Sequence, residues 1–165
     1  MLSGCPKPLG FSKQATSPRK DKLMEPTYKD LLVVLSDITP EEAFNKLREN
    51  PNHELKEQYE FIIKKYPKWA YYYALNVING RWHEAEDIIK TDPNYAYHYA
   101  RDVIKDRWHE AEDIIKTDPN YAYKYARDVI KGRWHEAEDI IKTDPYYARW
   151  YACYVIKDKN FWDNN

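Results

Sequence analysis

Histidine and acidic side chains recur together along this sequence at a fixed interval. His83, His109 and His135 are each followed by Glu84, Glu110 and Glu136, with Glu86, Glu112 and Glu138 two residues further on. Histidine beside carboxylate is the pairing of a metal site or of general acid–base chemistry. The interval counts against both. The histidines stand 26 residues apart, so in stacked helical units equivalent side chains lie roughly 10 Å apart at usual helix packing distances. Ligands of one metal must sit about 2 Å from it. HEAE also lacks the second histidine of the HExxH zinc motif. The pattern is read as a solvated helix face, and no metal or cofactor is expected.

Other chemistry is sparse. The cysteines are Cys5 and Cys153, and neither has a histidine placed beside it by spacing. With such a pair no disulfide framework is expected, which fits a reducing, intracellular setting. No G-x-S-x-G, Walker or G-x-G-x-x-G string occurs, and the chain holds four glycines. Catalysis is not expected.

A different set of side chains shares one helical face. Asn94, His98, Arg101 and Lys105 project together, with Asp102 at the edge, and 26 residues later Asn120, Lys124, Arg127 and Lys131 do the same. The flanking copies place Lys68, Tyr72, Leu75 and Asn79 on one side, and Tyr146, Trp150, Cys153 and Lys157 on the other, with Tyr154 beside them. Stacked, these form a ridge that is basic in the middle and aromatic or apolar at both ends. Tyr72, His98, Arg101, Lys105, Lys124, Arg127, Lys131, Trp150 and Tyr154 are the candidate partner-binding residues.

These side chains are positioned by a repeat. Arg81–Asp106 reads RWHEAEDIIKTDPNYAYHYARDVIKD; residues 107–132 repeat it with two changes, and residues 133–158 repeat the latter with six, all in the second half. Residues 55–80 are a degenerate copy in the same register, and Thr39-Pro40-EEAFNKL looks like a weaker half-copy. Each unit reads as two helices. In the first, Trp82, Ala85, Ile88 and Ile89 share a face, with His83, Asp87 and Lys90 opposite and Glu86–Lys90 as an i,i+4 pair. Asp92-Pro93 then marks a start, with Asp as N-cap and Pro at the first helical position. In the second helix, Ala96, Tyr99, Ala100, Val103 and Ile104 form the apolar stripe, flanked by Tyr95 and Tyr97. Gly80 and Gly132 are predicted as left-handed caps.

Neither helix is long enough to be stable alone, so stacking must supply the core. The expected fold is all-α, a right-handed α-solenoid of about four two-helix repeats (55–80, 81–106, 107–132, 133–158). Capping helices over residues 27–54, including YKDLLVVLSDI, and a C-terminal cap over 159–165 are expected to close its ends. In that cap Phe161 and Trp162 are expected to fold back over the exposed end. Residues 1–26 are expected to be a disordered basic tail, because residues 1–20 carry three prolines and no acid; the same stretch resembles a transit peptide. The net charge of -1 gives no overall basic excess, and no apolar run is long enough for a membrane span. With 16 tyrosines and six tryptophans, the core is expected to be built from Tyr, Trp, Ala, Ile and Val.

The string R-W-x-E-A-E…D-P-x-x-A-x-x-Y-A-x-x-V-I-K-G resembles short repeats of uncharacterised proteins of tailed phages and giant viruses. The matching residues are Arg81, Trp82, Glu84, Ala85, Glu86, Asp92, Pro93, Ala96, Tyr99, Ala100, Val103 and Ile104 with their equivalents. The sequence departs at His83, where proline is more usual. The resemblance implies no catalytic residues; it implies a viral accessory protein acting on host machinery, in the host cytoplasm. More distantly the architecture looks like tetratricopeptide and HEAT-like solenoids, which mostly bind proteins. The leading expectation is a protein-interaction or scaffold module, since Tyr, Trp and Arg are the residue types of binding hot spots. The alternatives are nucleic-acid binding, with basic residues on phosphates and aromatics on bases, and self-assembly into a homo-oligomer through similar end surfaces.

Overall fold

The computed structural model describes residues 37–163. The tail expected over residues 1–26, and the first part of the expected leading cap, residues 27–36, lie outside the described residues. The described chain is an α-solenoid built only of helices and turns. Helix α1 is Pro40–Glu49 and α2 Lys56–Ile63. Helix α2 pairs with the helix that follows it, and three further pairs then repeat that plan. In chain order the helices after α2 are α3 (Pro67–Tyr73), α4 (His83–Ile89), α5 (Pro93–Tyr99), α6 (His109–Ile115), α7 (Pro119–Tyr125), α8 (Glu138–Ile141) and α9 (Pro145–Tyr151).

The start of each second helix is written in the sequence. Asp92 Oδ1 accepts from the N–H groups of Asn94 and Tyr95 at 2.9 and 3.3 Å, and Asp118 and Asp144 repeat the cap. Pro93, Pro119 and Pro145 occupy the first turn, where no N–H is needed. Thr39 does the same for α1 in a capping box with Glu42. Helix α1 buries Ala43, Phe44 and Leu47 and packs on both α2 and α3. It thus stands where the second helix of a preceding unit would stand.

The ends of the second helices differ from the sequence expectation. Each opens into a wide π-helical turn, as at Ala100–Ile104, so that the Lys105 N–H reaches the Ala100 carbonyl at 2.7 Å. The chain then reverses through a left-handed residue. That residue is Asn79, Lys105, Lys131 or Lys157, at φ between 56° and 64°. Gly80 and Gly132, read as the caps, do not have positive φ; they follow the reversal. The physical reason is the widened turn, which brings the reversal one residue earlier. The N–H of Gly80 or Gly132 then bonds the same alanine carbonyl, Ala74 or Ala126, at 3.2 and 3.1 Å. Two donors on one carbonyl help to offset the cost of a side chain in the left-handed region, roughly 1–2 kcal/mol.

The core repeats with the sequence. Ala96 and Ala100, with their equivalents one period away, are almost wholly buried, and these small side chains let each second helix pack on the next. Ile63, Ile89, Ile115 and Ile141 fill the layer beneath. Tyr99 and Trp108 meet across a repeat junction with ring centroids 5.1 Å apart, as do Tyr125 and Trp134. At the C-terminal end Trp162 stands 6.0 Å from Tyr151, in place of the next tryptophan, and its Nε1–H donates to the Ala148 carbonyl at 2.7 Å. Phe161 is buried beside it under the Arg133 guanidinium.

Candidate protein-interaction surface

The histidine–glutamate pattern turns out to be divided between solvent and core. His83 is largely exposed, but the side chain of Glu86 is only 14% exposed. Glu86 takes two hydrogen bonds from Arg81, both 2.8 Å, and one from the Tyr99 phenol at 3.0 Å; that phenol in turn accepts the Trp82 N–H at 2.7 Å. Glu112 with Arg107 and Tyr125, and Glu138 with Arg133 and Tyr151, repeat the clasp. Burial alone would raise Glu86, but the Arg81 and Tyr99 hydrogen bonds and the Arg81 charge hold it below the usual carboxylate range. Burial pushes Tyr99 well above the ordinary tyrosine range. Glu86 is therefore spoken for within its own repeat, and the expected Glu86–Lys90 pair does not form: Lys90 pairs with Asp87 at 2.6 Å instead.

A second clasp joins one repeat to the next on the ridge side. Tyr71 donates to Asp102 at 2.9 Å and Tyr97 to Asp128 at 2.6 Å. Tyr97, read as a flanking residue, is 1% exposed because the following repeat covers it. Each aspartate is also gripped by its neighbouring arginine. Arg101 makes bonds of 2.7 and 2.8 Å to Asp102 and another to the Tyr97 phenol; Arg127 treats Asp128 and Tyr123 alike. Burial and the Asp128 hydrogen bond push Tyr97 up to about 12.

This clasp changes the character of the ridge. Arg101 and Arg127 are neutralised by Asp102 and Asp128, so the middle holds less free positive charge than its residue types imply. His98 is half-buried between the Tyr71 and Tyr97 rings and lies 3.0 Å from Arg101. Burial and the Arg101 charge lower its basicity. Lys124 lies over the Tyr121 ring at 5.3 Å. Lys105 and Lys131 are exposed, at left-handed positions. Tyr72 stands apart at the N-terminal end, in a cluster with Phe44 and Trp69 that lines a cleft of about 350 Å³.

The last repeat abandons the clasp. Where the third repeat has Arg127 and Asp128, the fourth has Cys153 and Tyr154; where it has Asn120, Tyr123 and Lys124, the fourth has Tyr146, Arg149 and Trp150. Tyr146 and Tyr154 are 55% and 63% exposed, and Cys153 is exposed as well. Trp150 joins them, 4.4 Å from Tyr146 and 6.3 Å from Tyr154 by ring centroid, and meets Tyr123 edge-on at 5.9 Å. Trp150 and Tyr154 of the candidate set thus come together, while His98 and Arg101 form a separate group two repeats earlier. Arg149 was not singled out by its spacing. The signal was there: it occupies the position of the buried Tyr97 and Tyr123.

No family model matches the chain, and comparison with curated proteins and with solved structures finds no match. Among the described residues no group of three or more His, Cys, Asp or Glu side chains is placed to hold a metal ion, and no helix is long and apolar enough to cross a membrane.

Proposed function

We propose that this chain is a protein-interaction or scaffold module, without catalytic activity, whose binding surface is the ridge of second helices and above all its last repeat. The observation that carries the reading is the aromatic run Tyr146–Trp150–Tyr154, in which Tyr146 and Tyr154 are exposed and Trp150 is half-buried, at positions filled by Asn, His or Lys, and Asp in the second and third units. Large exposed aromatics on a rigid scaffold are the side chains that bury most area at little cost in lost freedom, and they concentrate binding energy. The likeness of the repeat to those of tailed phages and giant viruses supports an accessory role toward a host protein, inside the host cell.

Nucleic acid is less well served, because Arg101 and Arg127 are occupied by Asp102 and Asp128. The test is affinity capture by the full chain from its native host, with mass spectrometry before and after nuclease treatment. A set of proteins that survives nuclease is expected. Loss of all captured proteins on nuclease treatment, with retention of single-stranded RNA or DNA at low salt, would replace this reading with nucleic-acid binding.

A further inference from the structure

The last repeat differs from its predecessors in charge as well as in aromatic content. In the second and third repeats the outer face is self-neutralised, arginine against aspartate. In the fourth, the aspartate position is Tyr154, and Arg149 and Lys157 remain exposed. Arg149 has no ion pair or ring contact among the described residues. Beneath this face lies Tyr123, 1% exposed. Its oxygen accepts from Arg127 at 3.0 Å. Tyr71 and Tyr97 each give their proton to an aspartate of the next repeat, but for Tyr123 that position is Tyr154, and its proton meets no carboxylate. The fourth repeat therefore combines exposed apolar area, unneutralised positive charge and a buried phenol whose repeat-equivalents are held by a carboxylate.

We infer that this face, formed by Tyr146, Arg149, Trp150 and Tyr154, docks an acidic segment of a partner protein that also carries apolar side chains. The inference rests on the interaction reading above and names the partner's chemistry. The partner's apolar side chains cover the Tyr146–Trp150–Tyr154 run. Its carboxylates pair with Arg149 and Lys157, and one of them approaches the position that Asp102 and Asp128 hold in the earlier repeats. The charge selects against the chain's own residues 1–20, which are basic and contain no acid.

The test uses the full chain as bait for a displayed library of random peptides, with two variants as controls. Tyr154→Asp returns the position to its form in the second and third repeats and offers Tyr123 its carboxylate. Arg149→Glu reverses an exposed charge. Both are expected to fold, which thermal unfolding verifies. The native chain is expected to enrich peptides rich in Asp or Glu together with aromatic or aliphatic residues. Binding of a selected peptide, followed by fluorescence polarisation, is expected to weaken by on the order of tenfold or more in each variant. Enrichment of basic or uncharged peptides overturns the acidic partner and leaves an interaction module standing. Peptides that bind both variants as well as the native chain overturn the assignment of this face. Concentration-dependent dimerisation that Tyr154→Asp abolishes, with no peptide selected, assigns the face to a second copy and also overturns the inference.

Discussion

The Tyr97 phenol lies 2.6 Å from the Asp128 carboxylate, 31 residues ahead and in the next repeat. One period later Tyr123 occupies the equivalent place, but the residue ahead of it is Tyr154. A bond that ties repeat to repeat is thus present at two junctions, from Tyr71 and Tyr97, and missing at the third. The junction without it is the one whose outer face is aromatic and exposed.

Removing the two phenols should therefore have unequal effects. Tyr97→Phe is expected to lower stability by about 1–2 kcal/mol, because it strips a hydrogen bond from Asp128 and an acceptor from Arg101. Tyr123→Phe should cost less than about 1 kcal/mol, since only the Arg127 contact is lost. Urea unfolding of the two variants gives the comparison; equal losses would show that the Tyr97–Asp128 bond contributes nothing beyond the arginine contact.

Restoring the clasp should stabilise the chain. With Cys153→Arg and Tyr154→Asp together, the fourth repeat regains the pair that Arg127 and Asp128 form, and Tyr123 regains a carboxylate. A gain of about 1 kcal/mol is expected in urea unfolding. A loss of stability would mean that the exposed tyrosine packs better than the clasp holds.

The turn residues give an opposite pair of outcomes. Lys131→Gly relieves a side chain held at φ 59° and is expected to stabilise by roughly 0.5–1 kcal/mol. Gly132→Ala should change stability by less than about 0.5 kcal/mol, because an added Cβ meets nothing within 4 Å and the backbone there is not left-handed. Differential scanning calorimetry separates the two. A large loss from Gly132→Ala would place the reversal at the glycine.

The clasps also set a window of pH stability. Glu86, Glu112, Asp102 and Asp128 are all held below their ordinary values, 4.5 for the glutamates and 3.8 for the aspartates, by arginine and tyrosine partners that outweigh burial. A lowered carboxylate stabilises the fold above its unfolded value, and that contribution is lost as pH falls through the lower, folded one. Tyr71, Tyr97, Tyr99 and Tyr125 are raised above 10.0, chiefly by burial, so their contribution is intact below that value and is lost as pH climbs past it. His98, made less basic by burial and the Arg101 charge, costs stability once pH falls below its ordinary 6.5, so the unfolding midpoint is expected to be flat from about pH 7 to 9 and to fall on both sides, with the alkaline loss accompanied by tyrosinate absorbance. An alkaline transition without that absorbance would remove the tyrosines as its cause.

The period, the two helices per unit and the Asp92-Pro93 start were legible because they depend on local chemistry repeated at one spacing. The end of the second helix was not. Ala100 to Ile104 has the apolar spacing of an ordinary helix, and only the carbonyl that Lys105 selects reveals the wider turn. Tyr97 read as a flank because projection around one helix cannot show a neighbour whose contacting residue is 31 positions away. Glu86 read as solvated for the same reason, since its partners Arg81 and Tyr99 lie outside the helix that carries it. The ridge residues were found by face, but their availability was not: Arg101 and Arg127 are committed, whereas Tyr154 is open and Trp150 is half-buried beside it. Arg149 became visible only once the position it replaces proved to be buried.

The claim that the last repeat gave up its clasp for a binding face is tested most directly by capture with two baits side by side. One is the native chain; the other carries Tyr146→Asn, Trp150→Lys, Cys153→Arg and Tyr154→Asp, which return those four positions to their form in the third repeat. Proteins retained by the native chain and reduced by on the order of tenfold or more on the reverted one are expected, with the reverted chain at least as resistant to unfolding. The same proteins retained equally by both baits would contradict it.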